Sequence, residues 1–127
     1  SRLPANATAL GKALLSGLEE DAVRRYFSQG MPRLTEHTIT DLEPLLEQLS
    51  RVREEGIAWE EEESTPHLCC VAVPLRQRRN VFAALSVSMP LFRATPEKRE
   101  WVSACLREAA SEINTLAEER GISLDIL

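Results

Sequence analysis

The chain has 127 residues, enough for one domain to bury a core without disulfides or a metal. Hydrophobic residues make up 43% and charged residues 28%, the balance of a soluble globular fold, and no apolar run nears the roughly 20 residues of a membrane span. A net charge of −5, from 15 basic and 20 acidic residues, argues against a surface built to grip nucleic acid.

Three cysteines, two of them adjacent at Cys69 and Cys70, show no C-x-x-C spacing. Neither a disulfide framework nor a structural zinc is therefore expected, and no cofactor. With no signal peptide visible, reduced thiols, a cytoplasmic location and no membrane partner are the expectations. The chain opens on Ser1, not Met, and is read as a cut or processed piece of a longer polypeptide.

From Asn6 to Leu15 the pattern predicts a short helix with Ala7, Leu10, Leu14 and Leu18 on one side. A second helix is expected from about Glu19 to Ser28, ending at Gly30, with Glu19, Glu20 and Asp21 at its positive end. The stretch from Met31 to Ile39 is a connector. Thr40 and Glu43 have the spacing of a capping box for a third helix, with Leu42, Leu45, Leu46, Leu49 and Val52 inward and Gly56 as terminator. Pro44 is compatible because it falls in the first turn.

Ile57–Glu60 reads as a strand running into four consecutive glutamates, followed by a turn through Ser64, Thr65 and Pro66. A hairpin comes next: Leu68–Leu75 and Val81–Ser88, joined by the polar turn from Arg76 to Asn80. Met89–Ala94 is expected as loop. Thr95 and Pro96 should start a long final helix whose stripe is Trp101, Val102, Cys105, Ala109, Ile113 and Leu116, closed by Gly121. The order of helices, strands and a last helix predicts an α+β domain, its antiparallel sheet covered on one side.

The hairpin carries the chemistry. Alternation puts Ser86 and Ser88 on one face, and pairing Leu75 with Val81 sets position 70 opposite 86. Cys70, Ser86 and Ser88 then share a floor with Leu68, Ala72, Phe82 and Ala84, a surface suited to a small ligand. A one-residue slip or bulge would separate them.

Six blocks fall in order: Leu3-Pro4 with Asn6-Ala7-Thr8-Ala9-Leu10-Gly11-Lys12-Ala13-Leu14-Leu15 ("LPxHATAxGKALLA"), Leu34–Thr40 ("LTxxTIT"), Val52–Ala58 ("IRxxGYA"), the acidic run to Glu63, Cys70–Pro74 ("CIAAPV") and Ala83–Ser88 ("AALSVS"). Together they resemble the C-terminal effector-binding domain of IclR-type bacterial transcriptional regulators. The resemblance covers nearly all of the single domain, residues 1–127.

What the resemblance implies is a GAF-like sensing fold without the N-terminal strands of the full domain. It also implies a winged helix-turn-helix, absent from this chain, through which the parent protein meets DNA, and assembly as a homodimer or homotetramer. The implied effector is a small carboxylic acid: an oxo, sugar or aromatic acid. Carried over by motif, its contacts are the amides of Ala9 and Leu10, with Glu60, Cys70, Ser86 and Ser88. Where relatives usually carry Gly, this chain has His67 and Met89, which add bulk beside the expected site.

Each of these residues has a plainer reading. Ser86 and Ser88 are also small enough to pack under a helix, and a lone cysteine is most often a small buried hydrophobe. Glu60 is either a solvated member of the acidic run or an acceptor for a ligand hydroxyl. Ala9 and Leu10 offer main chain alone, at a helix start. A catalytic dyad of Cys70 and His67 is disfavoured, because positions 67 and 70 of a strand face opposite ways. The rivals to a non-enzymatic sensor are an enzyme of small carboxylates using Cys70 or Glu60, and a ligand-free oligomerisation module.

Overall fold

A computed structural model describes residues 3–78 and 80–121. Along the chain run α1 (Ala9–Leu15), α2 (Glu20–Tyr26), α3 (Leu42–Glu55), β1 (Ala58–Glu61), β2 (Leu68–Gln77), β3 (Asn80–Pro90) and α4 (Pro96–Glu119). Short 3-10 turns lie at Ala5–Ala7 and Leu91–Arg93. The strands form one antiparallel sheet in the order β1-β2-β3, so the α+β class is as expected.

Local chemistry explains most boundaries. Thr8 Oγ1 accepts from the Gly11 amide at 2.9 Å and starts α1; Thr95 Oγ1 does the same for Lys98 at 3.2 Å, with Pro96 opening α4. Gly56 ends α3 in the left-handed region at φ 72°, its amide 2.7 Å from the Val52 carbonyl. The expected capping box does not form. Asp41 is the cap residue of α3 and makes no side-chain cap bond, while Thr40 accepts from Arg33 and Glu43 pairs with Arg24.

Helices cover the sheet on both faces, not on one. Cys69, Val71, Val73 and Leu75 of β2 pack with Val102, Leu106 and Ala110 of α4, whereas Ala72 and Ala58 pack with Ala9 and Ala13 of α1. β2 is the middle strand and apolar on both sides, which makes two coverings necessary. A third cluster, Leu15, Val23, Phe27, Leu45 and Leu49, locks α2 and α3 to the end of α1.

Two helices keep only part of the expected apolar stripe inside: Ala7 near the first, and Val102 and Ile113 on the last. In α1 the buried residues are Ala9, Gly11, Lys12, Ala13 and Leu15, and the stripe Leu10, Leu14, Leu18 is exposed. At Gly11 the helix lies too close to the Ala5 main chain for a side chain, and small residues, Ala9 and Ala13, face the sheet beside it. In α4 the buried stripe is Val102, Leu106, Ala110 and Ala117; of the expected stripe Val102 is buried and Ile113 packs against the same cluster, while Trp101, Cys105 and Leu116 are exposed. Both stripes have helical spacing, and hydrophobicity alone selected the bulkier one.

The hairpin is longer than expected. β2 reaches Gln77 and β3 starts at Asn80, with Arg78 at φ 59° between them; Arg79 lies outside the described residues. β3 also continues through Met89 and Pro90, where a loop was expected. A register irregularity at Leu75/Arg76 places Cys70 opposite Ser88 and Ala72 opposite Ser86, two residues from the expected pairing. Because the side-chain period is two, Cys70, Ser86 and Ser88 keep their common face.

Candidate functional site

Three strands bring one row of side chains into register on the α1 face of the sheet. Glu60 of β1 pairs with Cys70 of β2, and Cys70 pairs with Ser88 of β3. Cys70 Sγ and Ser88 Oγ are 3.2 Å apart, a hydrogen bond that either group can donate. The next row on the same face is Ala58, Ala72 and Ser86. Ala9, Ala13 and Val52 pack on this floor, with Cys70 and Ala84 at its margin.

Burial differs sharply along the row. Glu60 is 2% exposed, Cys70 is half-buried, and Ser86 and Ser88 are exposed on β3, which pairs with β2 alone among the described residues. The carboxylate of Glu60 is not loose: Oε2 accepts from the Glu63 amide at 3.0 Å and Oε1 from the Ser64 hydroxyl at 3.3 Å. Burial, offset by the Ser88 hydroxyl and reinforced by the neighbouring Glu60 carboxylate, pushes the Cys70 thiol up to about 11. A thiol in that state is a weak donor, not a nucleophile, at neutral pH.

The first turn of α1 supplies main-chain donors. Thr8 takes the Gly11 amide and its carbonyl takes the Lys12 amide; those of Ala9 and Leu10 precede the first intrahelical bonds. Ala9 itself is buried on the floor, while the Leu10 side chain points out to solvent.

Lys12 and Glu63 were missed in the sequence. Lys12 is 1% exposed, and its Nζ donates to both oxygens of Glu63 at 2.8 and 2.7 Å. Burial raises the Glu63 carboxyl above its ordinary range, against the pull of the Lys12 ammonium. The Thr38 hydroxyl donates to the Glu63 carbonyl at 2.5 Å, tying the connector to the same turn. The readable signal was the small-residue face Ala9, Lys12, Ala13, Ser16, in which a lone lysine takes an inward position.

The two bulky departures lie elsewhere. Met89 pairs with Cys69 and joins the α4 side of the core, so it adds nothing beside the floor. His67 is exposed at φ 66°, a region that favours glycine, with its Nδ1 3.6 Å from Glu62. Among the described residues no group of three or more His, Cys, Asp or Glu is placed to hold a metal ion, and no helix is long and apolar enough to cross a membrane.

The arrangement is a set of weak polar groups on a small-residue floor beneath a short helix. The family model for the bacterial transcriptional regulator IclR C-terminal domain matches residues 1–115. The chain belongs to that family. It is 40% identical over 116 residues to the HTH-type transcriptional regulator KdgR of Escherichia coli K12, covering 89% of this chain and 44% of that protein. The solved C-terminal domain of E. coli KdgR superposes with a TM-score of 0.82 at 38% identity, over 91% of this chain and 71% of that one. A double mutant of the PobR inducer-binding domain from Acinetobacter, in complex with 3-hydroxybenzoic acid, gives a TM-score of 0.83 at 34% identity, over 91% and 68%. The chain spans less than half the length of the curated relatives it matches.

Proposed function

We propose that this chain, as one domain, senses a small carboxylic acid and passes the signal to an N-terminal winged helix-turn-helix of the same cytoplasmic polypeptide. The acid is of the oxo, sugar or aromatic type. It rests on Cys70, Ser86 and Ser88, donates any hydroxyl it carries to the Glu60 carboxylate, and turns its anionic end to the amides of Ala9 and Leu10. The observation that carries the reading is the single row Glu60, Cys70, Ser88 beneath α1. The hydroxybenzoate complex of the PobR domain supports an acid as ligand. Binding regulates DNA only if it favours one arrangement of the homodimer or homotetramer over another.

Thermal-shift measurements with pyruvate, gluconate and 4-hydroxybenzoate test the reading. At least one acid should raise the melting temperature and be recovered unchanged, and Ser86→Ala or Ser88→Ala should reduce the shift. Silence with all three would overturn it. Conversion of the acid would instead favour an enzyme, a reading the protonated Cys70 thiol opposes. Silence together with self-association through the exposed Trp101 face would favour an assembly module.

A further inference from the structure

Lys12 is the one basic side chain among the buried described residues, and the sensing reading gives it no contact with the acid. Its ammonium holds both oxygens of Glu63. Glu63 in turn donates its amide to Glu60, whose carboxylate stands opposite Cys70 in the site row. One cation holds one buried carboxylate, and the Glu63 amide links that pair to a second at Glu60, so the three side chains carry a formal charge of −1 beside the floor.

We propose that Lys12 is a positioning residue that sets the electrostatic tolerance of the site: its charge, delivered through Glu63 and Glu60, lets a carboxylate ligand approach Cys70 and Ser88. This rests on the sensing function argued above. In a poorly hydrated interior a charge acts over several ångströms, so the sum over the cluster matters more than contact. Arg51 and Glu55 of α3, both exposed, line a groove that Lys12 also borders. Burial raises the Glu63 carboxyl against the pull of the Lys12 ammonium.

Charge counting makes the test sharp. Lys12→Met leaves −2, Glu63→Gln leaves 0, and the double variant Lys12→Met/Glu63→Gln returns to −1. Dissociation constants for pyruvate, gluconate and 4-hydroxybenzoate are measured by calorimetry on the 127-residue chain. Relative to wild type, Glu63→Gln should bind about tenfold tighter and Lys12→Met about tenfold weaker, with the double variant close to wild type.

A purely structural ion pair predicts a different order, in which wild type binds best and the double variant fails to recover. That order, or equal affinity in all four proteins, overturns the inference while the sensing function stands. If Lys12→Met does not fold, the Glu63→Gln arm decides alone: tighter binding supports the inference and weaker or unchanged binding ends it. A wild-type chain that binds none of the three acids removes the sensing function and this inference together.

Discussion

A Cβ built on Gly11 would stand 2.4 Å from Ala5 Cα and 2.5 Å from the Ala5 carbonyl oxygen. Both are main-chain atoms, so no side chain can swing aside to make room. The start of α1 is therefore fixed by the absence of an atom. Gly11→Ala, favourable for an isolated helix, should lower stability by roughly 1–3 kcal/mol through overpacking. Urea denaturation checks this; a midpoint equal to or above wild type would show that the segment at Ala5 yields freely.

The same close approach decides which face of α1 looks inward. Leu14→Lys should change stability by less than about 0.5 kcal/mol, because Leu14 is 40% exposed. Ala13→Leu places a larger side chain on the Ala58 and Ala72 floor and should cost about 1–3 kcal/mol. Paired thermal and urea melts of the two variants give the comparison, and a reversed order would mean that α1 docks by its leucine stripe.

Breaking the Lys12–Glu63 pair from one side strands a buried carboxylate. Lys12→Met should cost about 3–5 kcal/mol at neutral pH. Replacing both partners, as in Lys12→Met/Glu63→Leu, should recover stability to within about 1 kcal/mol of wild type, because an apolar pair has no desolvation penalty. Denaturant midpoints of the three proteins read this directly.

The Cys70 thiol sets a pH dependence with a definite sign. Its folded pKa is raised to about 11, whereas an unfolded thiol ionises near about 8.5. The stabilisation from keeping it protonated is complete below the unfolded value and is lost as pH climbs to the folded one. Wild type should therefore lose more stability than Cys70→Ala between those values. Iodoacetamide at neutral pH should label the exposed Cys105 well before Cys70, as peptide mass spectrometry would show.

Much of the fold was readable because single residues impose their own geometry. Gly56 and Thr95 act locally, and the structure has them where turn and cap chemistry require. The common face of Cys70, Ser86 and Ser88 was readable too, since alternation survives an error of two in the pairing. What failed was anything decided by distance between elements. The inner face of α1 depends on how near Ala5 stands, and the choice between two apolar stripes of α4 depends on what β2 presents. Thr40 stands one residue before the cap position, which Asp41 takes, and accepts instead from Arg33, seven positions away in the same α2–α3 connection. Lys12 was hidden for a related reason: its partner Glu63 is remote in sequence and sits in a run that reads as solvated.

The irregularity at Leu75/Arg76 has a consequence for how this hairpin tolerates change in length. Growth or loss at its tip in even steps leaves the inward and outward sets of the two long strands untouched. An odd step inverts one strand and carries its hydroxyls to the wrong side, unless a compensating kink absorbs it. The β2–β3 arm is thus free to lengthen by twos, and each unpaired addition must be hidden in a bend well away from Ser88.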